Sequence, residues 1–186
     1  KILNDNSEII KKRTGIKLTL TRIADIDIRR KRPVNIPKKL FTTDANEIIN
    51  DDSISIVIEL VGGTTIAKDF VLAAIKNGKS VVTANKALIA HHGQRLAGLA
   101  EQAGVRLKFE AAVAGGIPAL KVLREGLAGN DISRVTGILN GTCNYILSEM
   151  THTGRGFDDV LAEAQAKGYA EADPSFDIDG VDTAHK

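Results

Sequence analysis

The sequence holds one cysteine, no tryptophan, one methionine and few aromatic residues, 4% in all. A lone Cys143 excludes an internal disulfide and any multi-cysteine zinc site, a usage that fits a reducing compartment and points to the cytoplasm. Scarce aromatics leave little for bases to stack on. With 25 Lys and Arg against 23 Asp and Glu, scattered along the chain for a net charge of +2, there is no basic footprint for nucleic acid. No apolar run approaches the ~18 residues that a membrane span requires, and the residues from Lys1 are not expected to act as a signal peptide or a tail. What is present is 43% hydrophobic and 26% charged residues in a chain of 186, the composition of a globular protein. That length allows one domain, or one with a partial second, and a core that needs no staple. The chain begins without Met and closes on a dense polar cluster at Lys186, which reads as a piece of a longer protein.

Periodicity predicts alternating helices and strands. Lys1–Arg13 reads as a helix stopped by Gly15, Ile16–Ala24 as a strand, Pro33 and Pro37 as loop markers, and Asp44–Asn50 as a short helix. Ile54–Val61 is a nearly continuous β-branched run of the kind found in a parallel strand buried on both faces. A helix over Ile66–Asn77 ending at Gly78, a strand Ser80–Thr83, a helix from Lys86 to Ala103 stopped by Gly104, and a strand Val105–Phe109 follow. Short connections between alternating elements imply parallel pairing and a doubly wound sheet. After Glu110 the texture becomes small and glycine-rich, and a domain boundary is placed there, giving residues 1–109 and 110–186. The second part predicts a helix near Pro118, a strand Ile132–Leu139, a helix capped by Thr142 and running to Met150, and a helix Phe157–Lys167 stopped by Gly168.

Ligands of open parallel sheets lie outside the carboxyl ends of the strands, and three marked segments fall at such ends. Asp25 and Asp27 could accept a bond from a ribose hydroxyl, Arg29 and Arg30 could pair with a 2′-phosphate, or all four could form a solvated turn. Gly62-Gly63-Thr64-Thr65 offers open backbone and a helix N-terminus that suits an anion, or simply a turn and a cap. Asn85 and Lys86 put an amide and an ammonium on the same rim, where Lys86 opposes the helix dipole. The acid-rich stretch to Lys186 fails as a calcium loop, because with Gly180 as the turn glycine the twelfth, bidentate position is Lys186. If Gly180 precedes a helix, Asp182 and Lys186 lie one turn apart, either as a surface pair or as an acid holding an ammonium beside a proton-handling lysine. His91 and His92, His152 and His185 show no metal spacing, and Cys143 reads as a small buried residue.

Four blocks resemble the homoserine dehydrogenase family in the right order: VVTANKALIA (Val81–Ala90), FEAAVAGGIPAL (Phe109–Leu120), GILNGTCNYILSEM (Gly137–Met150) and GYAEADPSFDIDGVDTAHK (Gly168–Lys186). The resemblance covers essentially the whole chain, and its last block is the most specific. It implies an α/β architecture, an incomplete Rossmann-type doubly wound sheet followed by the start of an α+β substrate and dimerisation domain. It also implies an oxidoreductase interconverting L-homoserine and L-aspartate 4-semialdehyde with NADP or NAD, in threonine, methionine and isoleucine biosynthesis. Carried onto matching positions, Lys86 and Lys186 would handle the proton and polarise the aldehyde oxygen. Glu171 and Asp182 would bind the substrate ammonium, with Asp177 close by. Glu110 with the carbonyls of Val113, Gly115 and Ile117 resembles a site for a monovalent cation, sodium or potassium. Cofactor contacts are expected from Arg29, Arg30, Gly62, Gly63, Thr64, Thr65, Asn85 and Lys86. A small-molecule substrate and a homodimer are implied, with neither nucleic acid nor membrane as partner.

The family's first strand and glycine-rich loop, and the rest of its substrate domain, lie outside these residues, so the segment alone is expected to be a weak catalyst. Two rivals remain: another Rossmann dehydrogenase of a small hydroxy acid or aldehyde, which has no reason to carry the Glu171–Lys186 block, and a noncatalytic dinucleotide- or amino-acid-sensing module, which has no need of two lysines.

Overall fold

The computed structural model covers Lys1–Lys186, and the chain forms two compact units. The first comprises Lys1–Ile58, Lys68–Val82 and Leu96–Leu107; the second comprises Glu59–Ala67, Thr83–Arg95 and Lys108–Lys186. In chain order the first elements are helices α1 (Ile2–Asp5) and α2 (Ser7–Thr14), strands β1 (Ile23–Ala24) and β2 (Phe41–Thr42), helix α3 (Asn46–Ile49) and strand β3 (Ile56–Glu59). Helix α4 (Ile66–Lys76), strand β4 (Ser80–Thr83), helix α5 (Lys86–Gln102) and strand β5 (Leu107–Lys108) follow. The remainder is helical: α6 (Ala119–Lys121), which runs into a π-turn over Val122–Gly126, then α7 (Gly141–Thr153), α8 (Phe157–Ala166), α9 (Ser175–Ile178) and α10 (Val181–Ala184).

Strands β1 and β2 pair in parallel, Ile23 against Phe41 and Ala24 against Thr42, and β3, β4 and β5 form a second sheet in that order. Ser80 N–H donates to the Ser55 carbonyl and Ala84 N–H to that of Glu59, one register along both, so β3 and β4 are parallel. The expected α/β class with parallel sheets is therefore observed. Helices α4 and α5 are the connections that parallel neighbours require.

Several expectations are corrected. The first helix breaks at Asn6, and the strand expected over Ile16–Ala24 is confined to Ile23–Ala24, because no neighbouring segment pairs with Ile16–Arg22. The run Ile54–Val61 is not buried on both faces: Ile56 and Ile58, which alternate onto the same face of β3, are 46% and 56% exposed. No strand forms over Ile132–Leu139, whose apolar residues are exposed; a strand without a partner leaves its backbone groups to water. Helix α7 is capped not by Thr142 but by Asn140, whose Oδ1 accepts the Cys143 N–H at 2.7 Å, while the Thr142 hydroxyl donates to the Tyr169 carbonyl.

In the first unit Lys79 is buried yet satisfied, its ammonium donating to the Asp51 and Ile54 carbonyls at 2.6 and 2.8 Å. A charge removed from water needs such acceptors. In the second unit α7 and α8 pack through Ile146, Val160, Ala164 and Ala170, flanked by Tyr145, Met150 and Leu161. Truncating Ile146 to Ala there costs about 2–5 kcal/mol by the usual cavity scale.

At the edge of that core, Glu163 accepts the Tyr145 hydroxyl at 2.8 Å and meets Lys167 and Arg155, each at 2.5 Å. These donors, Lys167 first, then Tyr145 and Arg155, hold the Glu163 carboxyl at about 2 against an ordinary 4.5. A carboxyl depressed by folding stabilises above its unfolded value, and that contribution is lost as pH falls through the folded value. Thermal melts of wild type and Glu163→Gln should therefore differ most above pH ~5 and converge near pH ~2. A gap that stays constant across that range would assign the clamp no ionic role.

Candidate active site

Two strand ends, those of β3 and β4, are tied together through one buried carboxylate. Glu59, 4% exposed at the end of β3, accepts the Val61 and Gly62 amides on Oε1 at 2.7 and 3.1 Å, and the Thr83 hydroxyl on Oε2 at 2.5 Å. Thr83 Oγ1 accepts in turn the Asn85 amide at 2.9 Å, and the Asn85 side chain donates to the Gly63 carbonyl at 2.7 Å. Its Oδ1 accepts the Leu88 N–H at 3.0 Å and so caps α5. Gly62 and Gly63 sit at φ of 83° and 71°, and a Cβ added to either would meet no atom within 4 Å. The loop thus presents open backbone on a rigid base.

Lys86 opens α5, where the helix dipole disfavours a cation. Its ammonium contacts Asp182 Oδ1. Lys186 reaches the other oxygen of Asp182 at 3.2 Å and donates to the Leu139 carbonyl at 2.6 Å, so the pair one helical turn apart does share a face. Asn140 donates to both neighbouring carboxylates, to Asp177 Oδ1 at 2.7 Å and to Asp182 Oδ2 at 2.8 Å. Gly180, at φ 78°, provides the corner between α9 and α10 that brings Asp177 and Asp182 to the same amide. Burial pushes the Lys86 ammonium below its usual range and the charge of Lys186 pushes the same way, against the attraction of Asp177. The result is two ammonium groups and two carboxylates in a partly buried cluster, able to hold a polar small molecule and to exchange a proton with it.

Of the residues singled out from sequence, Lys86, Lys186, Asp177 and Asp182 are brought together. The side chain of Glu171 is exposed, and only its carbonyl is engaged, by Gln165. Arg29 and Arg30 are exposed in the first unit, in a turn whose amides are held by Asp27; the guanidinium that pairs with Asp25, at 2.5 Å, is that of Arg32, which also lies over Phe41. Thr64 and Thr65 lie in the turn before α4. Glu110 accepts the Leu120 and Lys121 amides at 3.0 and 3.3 Å, and the loop of Val113, Gly115 and Ile117 turns through positive φ at Ala114 and Gly115, with the Ile117 carbonyl taking the Ala119 amide at 2.8 Å. No cluster of three or more His, Cys, Asp or Glu side chains is placed to hold a metal ion. Cys143 is half-buried, its thiol donating to the Asp177 carbonyl at 3.3 Å and pushed up by burial and by Asp177.

Glu59 and Asn140 escape sequence reasoning. A carboxylate inside a β-branched run is the anomaly that marks the first; the Asn-Gly start of α7 marks the second, since Asn leads the N-cap ranking.

Comparison with known proteins decides the family. The model for the homoserine dehydrogenase NAD-binding domain matches residues 1–110, and that for homoserine dehydrogenase matches residues 118–186. The chain belongs to the homoserine dehydrogenase family. It is 52% identical to the homoserine dehydrogenase of Pseudomonas aeruginosa over 186 residues, all of this chain and 42% of that one. The crystal structure of a homoserine dehydrogenase from Thiobacillus denitrificans superposes with a TM-score of 0.87 at 48% identity, over 100% of this chain and 43% of that one. A hyperthermophilic archaeal homoserine dehydrogenase in complex with NADPH gives a TM-score of 0.69 at 30% identity, over 97% of this chain and 51% of that one. The chain thus spans about two fifths of the length of the curated relatives it matches.

Within this homoserine dehydrogenase family member the loop after β3 hangs on Glu59. Glu59→Leu removes the one oxygen that both the Val61 and Gly62 amides use, at about 1–3 kcal/mol for each group left unsatisfied. Hydrogen exchange of the Val61 and Gly62 amides should speed up by roughly tenfold or more while the α7–α8 core keeps its protection. Unchanged exchange at those two amides would show that the loop is held by other means.

Proposed function

We propose that the protein is an NAD(P)-dependent oxidoreductase that interconverts L-homoserine and L-aspartate 4-semialdehyde, in the biosynthesis of threonine, methionine and isoleucine. The observation that carries this reading is the pair of lysines on one buried aspartate. Oxidising an alcohol needs a group that removes the hydroxyl proton, and a lysine whose ammonium is weakened by burial and by a second cation can do so. In the reverse direction the same ammonium polarises the aldehyde oxygen and returns the proton. Asp177 and Asp182, with Glu171, would take the substrate's ammonium and fix the reacting carbon.

The bound nicotinamide supplies the hydride acceptor or donor. The glycine loop fits such a group, because Gly62 and Gly63 leave open backbone at a strand's carboxyl end and Glu59 and Asn85 hold it. Thr64, Thr65 and Lys86 complete this set, and Arg29 and Arg30 are assigned to a 2′-phosphate, with NADP slightly preferred and NAD tolerated. The relative solved with NADPH supports that choice. Glu110 and the carbonyls of Val113, Gly115 and Ile117 are hard oxygen donors in one loop, suited to sodium or potassium rather than a soft metal. Residues 1–109 are assigned to the cofactor and 110–186 to the substrate. No helix is long and apolar enough to cross a membrane, and the reading includes a cytoplasmic homodimer.

In the full-length enzyme, Lys186→Ala should lower kcat by roughly 10²-fold or more, the scale of a lost general acid or base. Unchanged steady-state kcat would remove Lys186 from the chemistry. Changing Arg29 and Arg30 together to Ser should cut the NADP-to-NAD ratio of kcat/KM by roughly tenfold, since charge-assisted contacts to a phosphate are lost. An unaltered ratio would make them a solvated turn.

A further inference from the structure

We infer that Asn140 is a positioning residue for the reaction, holding Asp177 and Asp182 side by side so that the second aspartate can keep both lysines. This rests on the proposed homoserine chemistry and adds a residue to it. Asn140 is 4% exposed, and every polar group of its side chain is committed: Oδ1 to the Cys143 amide, and Nδ2 to one oxygen of each aspartate. With nothing left to offer a substrate, it acts through its neighbours. Two carboxylates brought to one point in a partly dry site repel each other, and a bridging pair of N–H bonds is what offsets that. The bridge also fixes the oxygens: Asp182 Oδ1 faces Lys86, Oδ2 is shared by Asn140 and Lys186, and Asp177 keeps its second oxygen free of hydrogen bonds within the chain. Because the same side chain caps α7, the position of that helix and of the acid pair are set together.

The test must separate cap from bridge. Asn140→Ser and Asn140→Asp both keep an oxygen that can cap α7, but neither keeps the amide donor, and the aspartate adds a third carboxylate. In the full-length enzyme the homoserine KM should rise by roughly tenfold or more in the serine variant and further in the aspartate variant, with the NADPH Kd within about twofold of wild type. A residue that only caps the helix would leave both variants near wild type and would not order them by charge.

A second readout needs no turnover. Competitive labelling of lysines by an amine-selective reagent near pH ~8, read by mass spectrometry, should show Lys86 several-fold more reactive in Asn140→Ser, because an Asp182 no longer held by the bridge favours its protonated form less. Wild-type KM in both variants, or unchanged Lys86 labelling in Asn140→Ser, overturns the inference. Failure of the wild-type enzyme to oxidise homoserine overturns the proposed function instead, and the labelling result still decides the role of Asn140.

Discussion

The arrangement of the candidate site depends on one buried carboxylate that carries more cations than it can neutralise. Asp182 meets Lys86 from the start of α5 and Lys186 from the end of the chain, segments 96 positions apart in sequence for its own contact with Lys86. Two like charges on one acid, partly shielded from water, leave at least one ammonium less secure than a surface lysine. That insecurity is what makes a lysine useful to an alcohol at neutral pH. It also demands a support that keeps the acid from turning away, which is where Asn140 and the glycine corner at Gly180 enter.

A second carboxylate does comparable work for the backbone. Glu59 takes two amides and a hydroxyl at the end of β3, so the loop that follows is fixed without contributing side chains of its own. Loops that approach a ligand by their backbone cannot be held by bulky residues, and a buried acid is one way to hold them. The adjoining Thr83 and Asn85 extend that support to the first turn of α5, where Lys86 stands. The loop and the lysine are therefore positioned by one chain of hydrogen bonds within the second unit.

Away from these groups the second unit relies on ordinary packing. Helices α7 and α8 bury a small aliphatic core and close its rim with Glu163, whose three donors come from both helices and their ends. Asn140 stands at the start of α7, and residues 170–186 follow α8. The lysine, the two aspartates and their amide are thus carried by segments that leave this core.

The sequence by itself determined the α/β class, the helices α4, α5, α7 and α8 to within a few residues, the family, and the one-turn relation of Asp182 and Lys186. All of these follow from local periodicity, glycine stops or contiguous motifs. Strands were less legible, because β-branched residues state a preference and only a neighbour completes the ladder: Ile16–Arg22 and Ile132–Leu139 have the composition without the partner. Tertiary structure alone decided that Lys86 shares Asp182 with Lys186, that Asn140 rather than Thr142 caps α7 while bridging two acids, and that Glu59 holds the loop after β3. The Asn140 cap and the Glu59 turn are local bonds, but what gives them their place is long-range: Lys86 to Asp182, Asn140 to the two aspartates and Thr83 to Glu59 join polar groups far apart in sequence, fixed by burial and by the scarcity of partners once water is excluded, and no local pattern encodes them.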